Sequence, residues 1–263
     1  MNSAALPATP VDVRLMNFTA TVLFLAFGVA LLAALGGWML RHPVFAIHAI
    51  RIEGDTVHNS PATLRANVAP RLAGNFFTLD LKRAREAFES VPWVRHAVVR
   101  RQFPNRLRVQ LQEHQAVALW GAESESRLVN SFGEVFEANV GDAQQESLPR
   151  LSGPEGQSAQ VLAMYRAVAP LFEPHDLSVE EFALSNRGSW SAKLDTGAVI
   201  ELGRGTNEEV LARSQRFAQT LTQVTAKYGR RPEALVAADL RHADGYAVRL
   251  RGVTTAAEQP AKK

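Results

Sequence analysis

Residues Val94–Glu113 read VRHAVVRRQFPNRLRVQLQE. Two runs, Val94–Phe103 and Arg106–Glu113, flank Pro104-Asn105, a pair that marks turns. In the second run Leu107, Val109 and Leu111 alternate with Arg106, Arg108, Gln110 and Gln112. That is the period-two pattern of a strand with one buried and one wet face. The stretch predicts a hairpin whose apolar face needs cover from elsewhere in the chain.

Cover is available upstream. Asp80 is a candidate N-cap for a helix carrying Leu81, Ala84 and Phe88 at helical spacing, and Pro92 stops it. Ahead of a loop with Gly74-Asn75, Ser60-Pro61 supplies a cap followed by proline at the first helical position. Leu64, Val68 and Leu72 share one face of that helix. Further back, Phe45, Ile47 and Ile50–Ile52 form an apolar strand closed by the turn signal Gly54-Asp55. The order β-α-α-β-β is complete between Phe45 and Glu113.

Before that module, Leu15–Leu40 contains no ionisable residue, and Val22–Leu40 reads VLFLAFGVALLAALGGWML. A helix over Leu15–Leu40 is about 39 Å long, more than the roughly 30 Å hydrocarbon core of a bilayer. Its Leu, Val and Phe residues favour insertion by roughly 3–6 kcal/mol, less a discount for Gly28, Gly36 and Gly37. Trp38 and Arg41 suit a membrane interface at the far end. A signal peptide has an apolar core of only about 7–15 residues, so the stretch reads as an uncleaved anchor. Arg14 lies on one side and Arg41 and Arg51 on the other, so the positive-inside rule leaves the orientation open. Ala26, Ala30 and Ala34 recur every four residues, a small-residue face that alanine-rich composition already explains.

Beyond Trp120 the pattern changes to short strands and turns. Arg127–Asn130 and Glu134–Phe136 flank Ser131-Phe132-Gly133 as a hairpin, and Leu148–Gly156 (LPRLSGPEG) reads as a Pro/Gly-rich connection, not a strand interior. A helix is expected from Ser158 to Phe172, with Val161, Leu162, Tyr165, Val168 and Ala169 on one side. Strands follow at Val179–Leu184, Trp190–Leu194 and Ala198–Leu202, the last two turned at Asp195-Thr196-Gly197. Thr206 and Glu209 form a capping box opening a helix to about Lys227, with Val210, Ser214, Phe217, Leu221 and Val224 inward. A last strand pair, Leu235–Leu240 and Tyr246–Leu250, turns at Asp244-Gly245. The tail from Thr254 is small and polar, and disorder is expected there. The fold class is α+β.

Composition removes several chemistries. The 263 residues carry 29 Lys+Arg against 26 Asp+Glu, a net charge of +3, and no cysteine. That excludes disulfides, thiolate-held zinc, iron–sulfur clusters and a cysteine nucleophile, and the charge is small for a nucleic-acid binder. None of the histidines stands in H-E-x-x-H spacing. Asp239, His242 and Asp244 are the tightest carboxylate–imidazole group, and they read better as the polar rim of a hairpin than as metal ligands. Gly203-Arg204-Gly205 lacks the third glycine and the Lys-Ser/Thr of a phosphate loop, and the capping box accounts for it. No acid–base or nucleophile constellation is present, so no enzyme, cofactor or small-molecule substrate is expected. Arg95, Arg100, Arg101, Arg106 and Arg108 gather on the hairpin beside Trp93 and Phe103. They form a solvated sheet face or a contact for anionic lipid or an acidic partner. Val236–Arg241 and Tyr246–Leu250 end the folded chain, which permits an open sheet edge for strand addition.

In their order these segments resemble the FtsQ/DivIB family of bacterial cell-division proteins. IHAIRIEGDTVHNS (47–60), Asn75-Phe76-Phe77-Thr78-Leu79-Asp80, Val91-Pro92-Trp93-Val94 and Phe103-Pro104-Asn105-Arg106-Leu107 match the family's first domain. Leu128-Val129-Asn130 with Gly133–Phe136, then LPRLSGPEG, Trp190 and Leu202-Gly203-Arg204, follow in the family's order. Ala116 stands where the family often has proline, and Asn130 where it often has aspartate.

The resemblance implies a cytoplasmic tail (1–14), a transmembrane helix (15–41), a POTRA-like domain (42–116), a mixed β domain with two helices (117–253) and a disordered tail (254–263). It implies a scaffold in the bacterial inner membrane at the septum, with cytoplasmic amino terminus and periplasmic domains. The partners would be FtsB, itself paired with FtsL, and other division proteins. The family's partner-binding "D-L-R-y-.-.-G" stretch matches Asp239, Leu240, Arg241, His242, Ala243, Asp244 and Gly245. His242 replaces its frequent aromatic residue, with Tyr246 as a substitute. Val248 on the last strand and Arg187, at an often basic position, complete the implied surface. The alternative is a POTRA-bearing polypeptide-binding transport or chaperone component. Such proteins usually carry an outer-membrane barrel, and no run of ten-residue alternating strands is present. An anchored cell-wall hydrolase would need the catalytic constellation that is missing.

Overall fold

The computed structural model describes residues 11–122, 127–139, 141, 148–242 and 245–253. The chain forms two compact units, one ending at Gln112 and the other beginning at Glu113.

The first unit opens with α1 (Val11–Arg41), whose apolar residues are left uncovered by the rest of the described residues. It starts a turn ahead of the uncharged stretch, taking in Asp12, which suits the positive end of the helix dipole. Its length and composition are those of a membrane-crossing helix. Trp38 and the backbone of Arg41 lie in its last turn; the side chain of Arg41 and residues 1–10 are outside the described residues.

Next come β1 (Ala49–Gly54), α2 (Pro61–Val68), α3 (Leu81–Glu89), β2 (Val94–Gln102) and β3 (Arg106–Glu113), the expected order. β1 is shorter than the apolar run suggests, because Pro43–Phe45 takes a turn of 3-10 helix and Ala46 bridges to Asn75. The sheet order is β1-β3-β2, with β1 parallel to β3 and Ile50 and Ile52 opposite Leu107 and Val109. Both caps form: Ser60 Oγ accepts from Thr63 N at 3.1 Å, and Asp80 Oδ1 accepts from Lys82 N at 2.8 Å. The helices bury Leu64, Val68 and Phe88 against Ala97, Val109 and Leu111 on the apolar sheet face.

The second unit contains β4 (Ala116–Trp120), β5 (Arg127–Asn130), β6 (Val135–Glu137), β7 (Arg150–Ser152) and α4 (Ser158–Val168). β8 (Val179–Leu184), β9 (Trp190–Leu194), β10 (Val199–Gly203), α5 (Asn207–Lys227), β11 (Leu235–Asp239) and β12 (Ala247–Leu250) complete it. Nine strands form one sheet in the order β12-β11-β10-β9-β8-β7-β4-β5-β6. α4 packs on β7 and β8, α5 on β10 and α4. The core between them gathers Phe172, Phe182, Trp190, Phe217, Leu151 and Ile200, all sealed from solvent.

Two expectations are corrected here. LPRLSGPEG is not merely a connection: Arg150–Ser152 runs as β7 in the middle of the sheet, parallel to both β4 and β8. Three residues suffice because Pro149 and Pro154 fall just outside the ladder, and the Pro149 carbonyl still accepts from Leu119 N at 2.9 Å. The inward faces of the helices also shift. Met164 is buried while Tyr165 is only partly so, and Thr225 is sealed where Val224 was expected. Thr225 enters the core without an orphan polar group, since its Oγ1 donates to Leu221 O at 3.0 Å. The strand β4 has no counterpart in the sequence-based reading.

Asn130 is fully buried in the β5–β6 turn. Its Oδ1 accepts from Phe132 N and Glu134 N, both at 2.9 Å, and its Nδ2 donates to Glu134 Oε2 at 2.5 Å. His114 Nδ1 lies 2.9 Å from the same Nδ2, and the His114 ring stacks on Phe136. An aspartate has the acceptor but not the donor, which is why an amide suits a turn that also contains Glu134.

Candidate functional site

β12 closes one end of the nine-stranded sheet and, among the described residues, pairs with β11 alone, antiparallel, with Val248 opposite Ala238 and Ala247 opposite Asp239. Among the described residues its outer edge is open. Ala247 and Arg249 are exposed, Val248 is half-buried and Leu250 is in the core. An open edge is a template for another strand, and nothing in these four residues blunts it with proline.

β11 lies parallel to β10, and Leu240 N extends that pairing by donating to Glu201 O at 2.8 Å. Leu240 is buried, so it fixes the exit of β11 and its neighbours face out. Asp239 then holds Arg241 through three hydrogen bonds. Its Oδ1 accepts from Arg241 N at 3.0 Å and Nε at 2.9 Å, and its Oδ2 from a terminal guanidinium nitrogen at 2.6 Å. These hydrogen bonds, side chain first and backbone second, hold the Asp239 carboxyl far below the usual carboxylate range. The Arg241 stem lies over Gly203, whose φ of +82° suits glycine and where a Cβ would stand 2.9 Å from Arg241 Cγ.

The pose of Arg241 brings it into a hollow of about 500 Å³ lined by Ser185, Arg187, Ser189, Arg204 and Arg213. Arg187 stands at the tip of the β8–β9 turn, closed by Ser185 N to Ser189 O at 2.8 Å and Ser189 N to Ser185 Oγ at 3.0 Å. Arg213 reaches up from α5 and donates to Arg204 O at 2.5 Å, while its buried Nε has no hydrogen-bond partner among the described residues. Neither Arg187 nor Arg204 makes an ion pair with an acid among the described residues. Four arginines line one hollow, and the two that pair with no acid among the described residues, Arg187 and Arg204, suit carboxylates presented from outside.

The sequence-derived residues thus divide. Arg187 and Arg241 meet in the hollow, with Asp239 as the holder of Arg241. Tyr246 turns inward: its OH is 2.5 Å from Thr220 Oγ1 and its ring packs edge-on against Phe217, pinning the start of β12 to α5. His242 is exposed and Gly245 half-buried; Asp244 lies outside the described residues. Arg204 and Arg213 were missed as members of the hollow. Only the topology reveals them, because β10, α5 and the β8–β9 turn are remote in sequence. Among the described residues no group of three metal-ligating side chains occurs.

An apolar helix, a small β-α-α-β-β unit and a mixed sheet with an open edge and a basic hollow define a class. It is a POTRA-containing α+β protein with one membrane-length apolar helix. Residues 45–114 match the "POTRA domain, FtsQ-type" and residues 118–241 match "Cell division protein FtsQ/DivIB, C-terminal". A Cell division protein FtsQ from Burkholderia pseudomallei is 44% identical over 243 residues, which cover 92% of this chain and 94% of that one. One from Thiomonas arsenitoxydans is 40% identical, covering 96% and 93%, and one from Bordetella pertussis is 39% identical, covering 91% and 92%. The chain belongs to the FtsQ/DivIB family of cell-division proteins.

Proposed function

We propose that the chain is a non-enzymatic scaffold of the division machinery, anchored in the inner membrane by α1. Its amino terminus is cytoplasmic and both folded units are periplasmic at the septum. The second unit recruits and holds FtsB with FtsL, and through them helps control septal peptidoglycan synthesis. The observation that carries this reading is the open edge of β12 at the same end of the sheet as the arginine hollow. A strand from FtsB adds to β12 through main-chain hydrogen bonds, which supply affinity without demanding a sequence. Acidic side chains of the incoming segment enter the hollow and set the register. Asp239, Leu240, His242, Gly245 and Tyr246 shape the exit of β11 and the start of β12, while Arg187, Arg241 and Val248 meet the partner.

Co-purification of the full-length chain from membranes with FtsB and FtsL tests the reading. Capture is expected from wild type and lost in Val248→Pro and in Arg187→Glu/Arg241→Glu, with thermal unfolding checking that each variant remains folded. Absence of both partners from the wild-type complex overturns the scaffold role. Undiminished capture by folded variants overturns the site alone.

A further inference from the structure

The membrane-side end of the first unit carries aromatic and cationic surface that its own fold leaves unused. Three segments meet there. Asn75 Nδ2 donates to Leu40 O at the end of α1, and Phe76 N donates to Phe45 O at 2.8 Å. Asn105, at the tip of the β2–β3 hairpin, donates from Nδ2 to Val44 O at 3.4 Å, and its carbonyl accepts from His48 N at 3.0 Å. The exit of α1, the Asn75–Phe77 loop and the hairpin tip are therefore one surface.

Phe45, Phe76, Phe77 and Phe103 form an edge-to-face chain on it, with ring centroids 4.9, 5.3 and 5.9 Å apart. Phe103 is 73% exposed, Val44 52% and Phe77 40%. A cluster of exposed rings is costly in water and marks a contact surface. Phe45 follows Arg41 by four residues, so even a fully extended chain keeps it within about 14 Å of the helix end. Trp38, one turn before that end, packs edge-on against His42 at 4.7 Å. Rings at that depth lie where Trp and Tyr belts meet lipid headgroups.

The charge is arranged to match. Arg41–Ile52, Leu72–Leu79 and Val94–Gln112 contain no acidic residue. Arg100 and Arg106 are exposed near the tip and pair with no acid among the described residues. Arg108, one strand pair farther from the tip, is instead neutralised by Glu53 at 2.6 Å. Within the β2–β3 hairpin the cations nearest the tip are thus free of acids, while Arg108 is paired.

We propose that this end of the first unit docks on the bilayer from which α1 emerges. Phe45, Phe77 and Phe103 enter the interfacial zone, and Arg100 and Arg106 bind phosphates of anionic lipid. The inference rests on α1 spanning the membrane. It makes the POTRA unit a surface-bound body rather than one swinging on a tether. Arginine phosphate contacts orient it, and the rings set its depth.

The chain has no cysteine, so a single nitroxide placed through Phe103→Cys reports depth directly. The full-length protein is reconstituted in nanodiscs of phosphatidylcholine with and without phosphatidylglycerol. Collision with oxygen and with a water-soluble nickel complex is then compared. Leu31→Cys in α1 and the exposed Val57→Cys beyond β1 are the lipid and water references. The label at 103 is expected at headgroup depth, deeper when phosphatidylglycerol is present. Arg100→Gln and Arg106→Gln should each lower the docked-to-undocked ratio by about fivefold, the factor matching ~1 kcal/mol per basic residue near an anionic surface. A label at 103 as water-exposed as that at 57, with 31 buried in lipid, overturns the docking proposal alone. A water-exposed label at 31 overturns the anchor on which it rests. Insertion indifferent to phosphatidylglycerol and to both substitutions overturns the role of the arginines.

Discussion

Asp239 and Arg241 are two residues apart on a chain leaving a strand, and their geometry makes one rigid unit of them. Because the folded-state value of Asp239 is depressed, the link is complete above its ordinary value of about 4. It weakens only as the pH falls through the depressed value. The Arg241 Nε–H resonance is therefore expected to keep its shift and slow exchange from pH 8 to pH 4.5, and loss within that window would contradict the arrangement. Both groups are partly exposed, so Asp239→Asn should cost no more than about 1 kcal/mol in thermal stability while releasing the guanidinium. Asn130 is the opposite case. Asn130→Asp places a buried carboxylate against the exposed Glu134 carboxylate and should destabilise by about 1–3 kcal/mol at pH 7. The penalty should shrink as the pH falls toward the ordinary carboxylate range, because two adjacent carboxyls can then share one proton. Urea unfolding at pH 5 and pH 8 measures this, and an equal loss at both would refute it. The sequence shows only that Asn130 departs from the family habit, while its partners become visible once β5 and β6 are folded together.

At the level of elements, periodicity and caps were readable wherever a segment carried its own signal. α5 is the clearest case. Thr206 Oγ1 accepts from Glu209 N at 3.3 Å and Glu209 Oε2 accepts from Thr206 N at 2.9 Å, the reciprocal pair that T-x-x-E announces. Thr206→Ala should cost about 0.5–2 kcal/mol and accelerate hydrogen exchange in the first turn of α5 more than in its last. Uniform acceleration along the helix would mean the cap matters little. β7 shows where local signals end. A strand of three residues between prolines has no room for alternation, and only its neighbours β4 and β8 define it. β4 was missed for a related reason: with Ala118 and Trp120 in the core and Ala116, Val117 and Leu119 half-buried, it reads as a plain apolar run. The edge position of β12 likewise depends on the parallel pairing of β10 with β11, a crossover through α5 that no short window contains. Arg204 and Arg213 belong to the same lesson, since an arginine lining a hollow has the local sequence of one facing water.

For the molecule as a whole, the decisive feature is that two separate cores stand behind one apolar helix. Among the described residues the first core, around Phe88, Leu64 and Val109, shares no side chain with the second, around Phe182, Trp190 and Phe217. Each core lies within one compact unit, so each unit can melt as its own cooperative block. Calorimetry of the full-length protein in detergent should therefore show two transitions. Phe88→Leu and Phe182→Leu each trim a fully buried ring and should remove about 1 kcal/mol from its own unit. The smaller unit has the smaller unfolding entropy, so Phe88→Leu should lower its transition by about 4–8 °C. Phe182→Leu should lower the other by about 2–4 °C. A single transition, or one substitution displacing both by the same amount, would mean that the units are energetically fused. If they melt separately, a partner that adds a strand to β12 should raise the second transition and leave the first where it was. That experiment would locate the binding free energy in the sheet without a substitution at the edge.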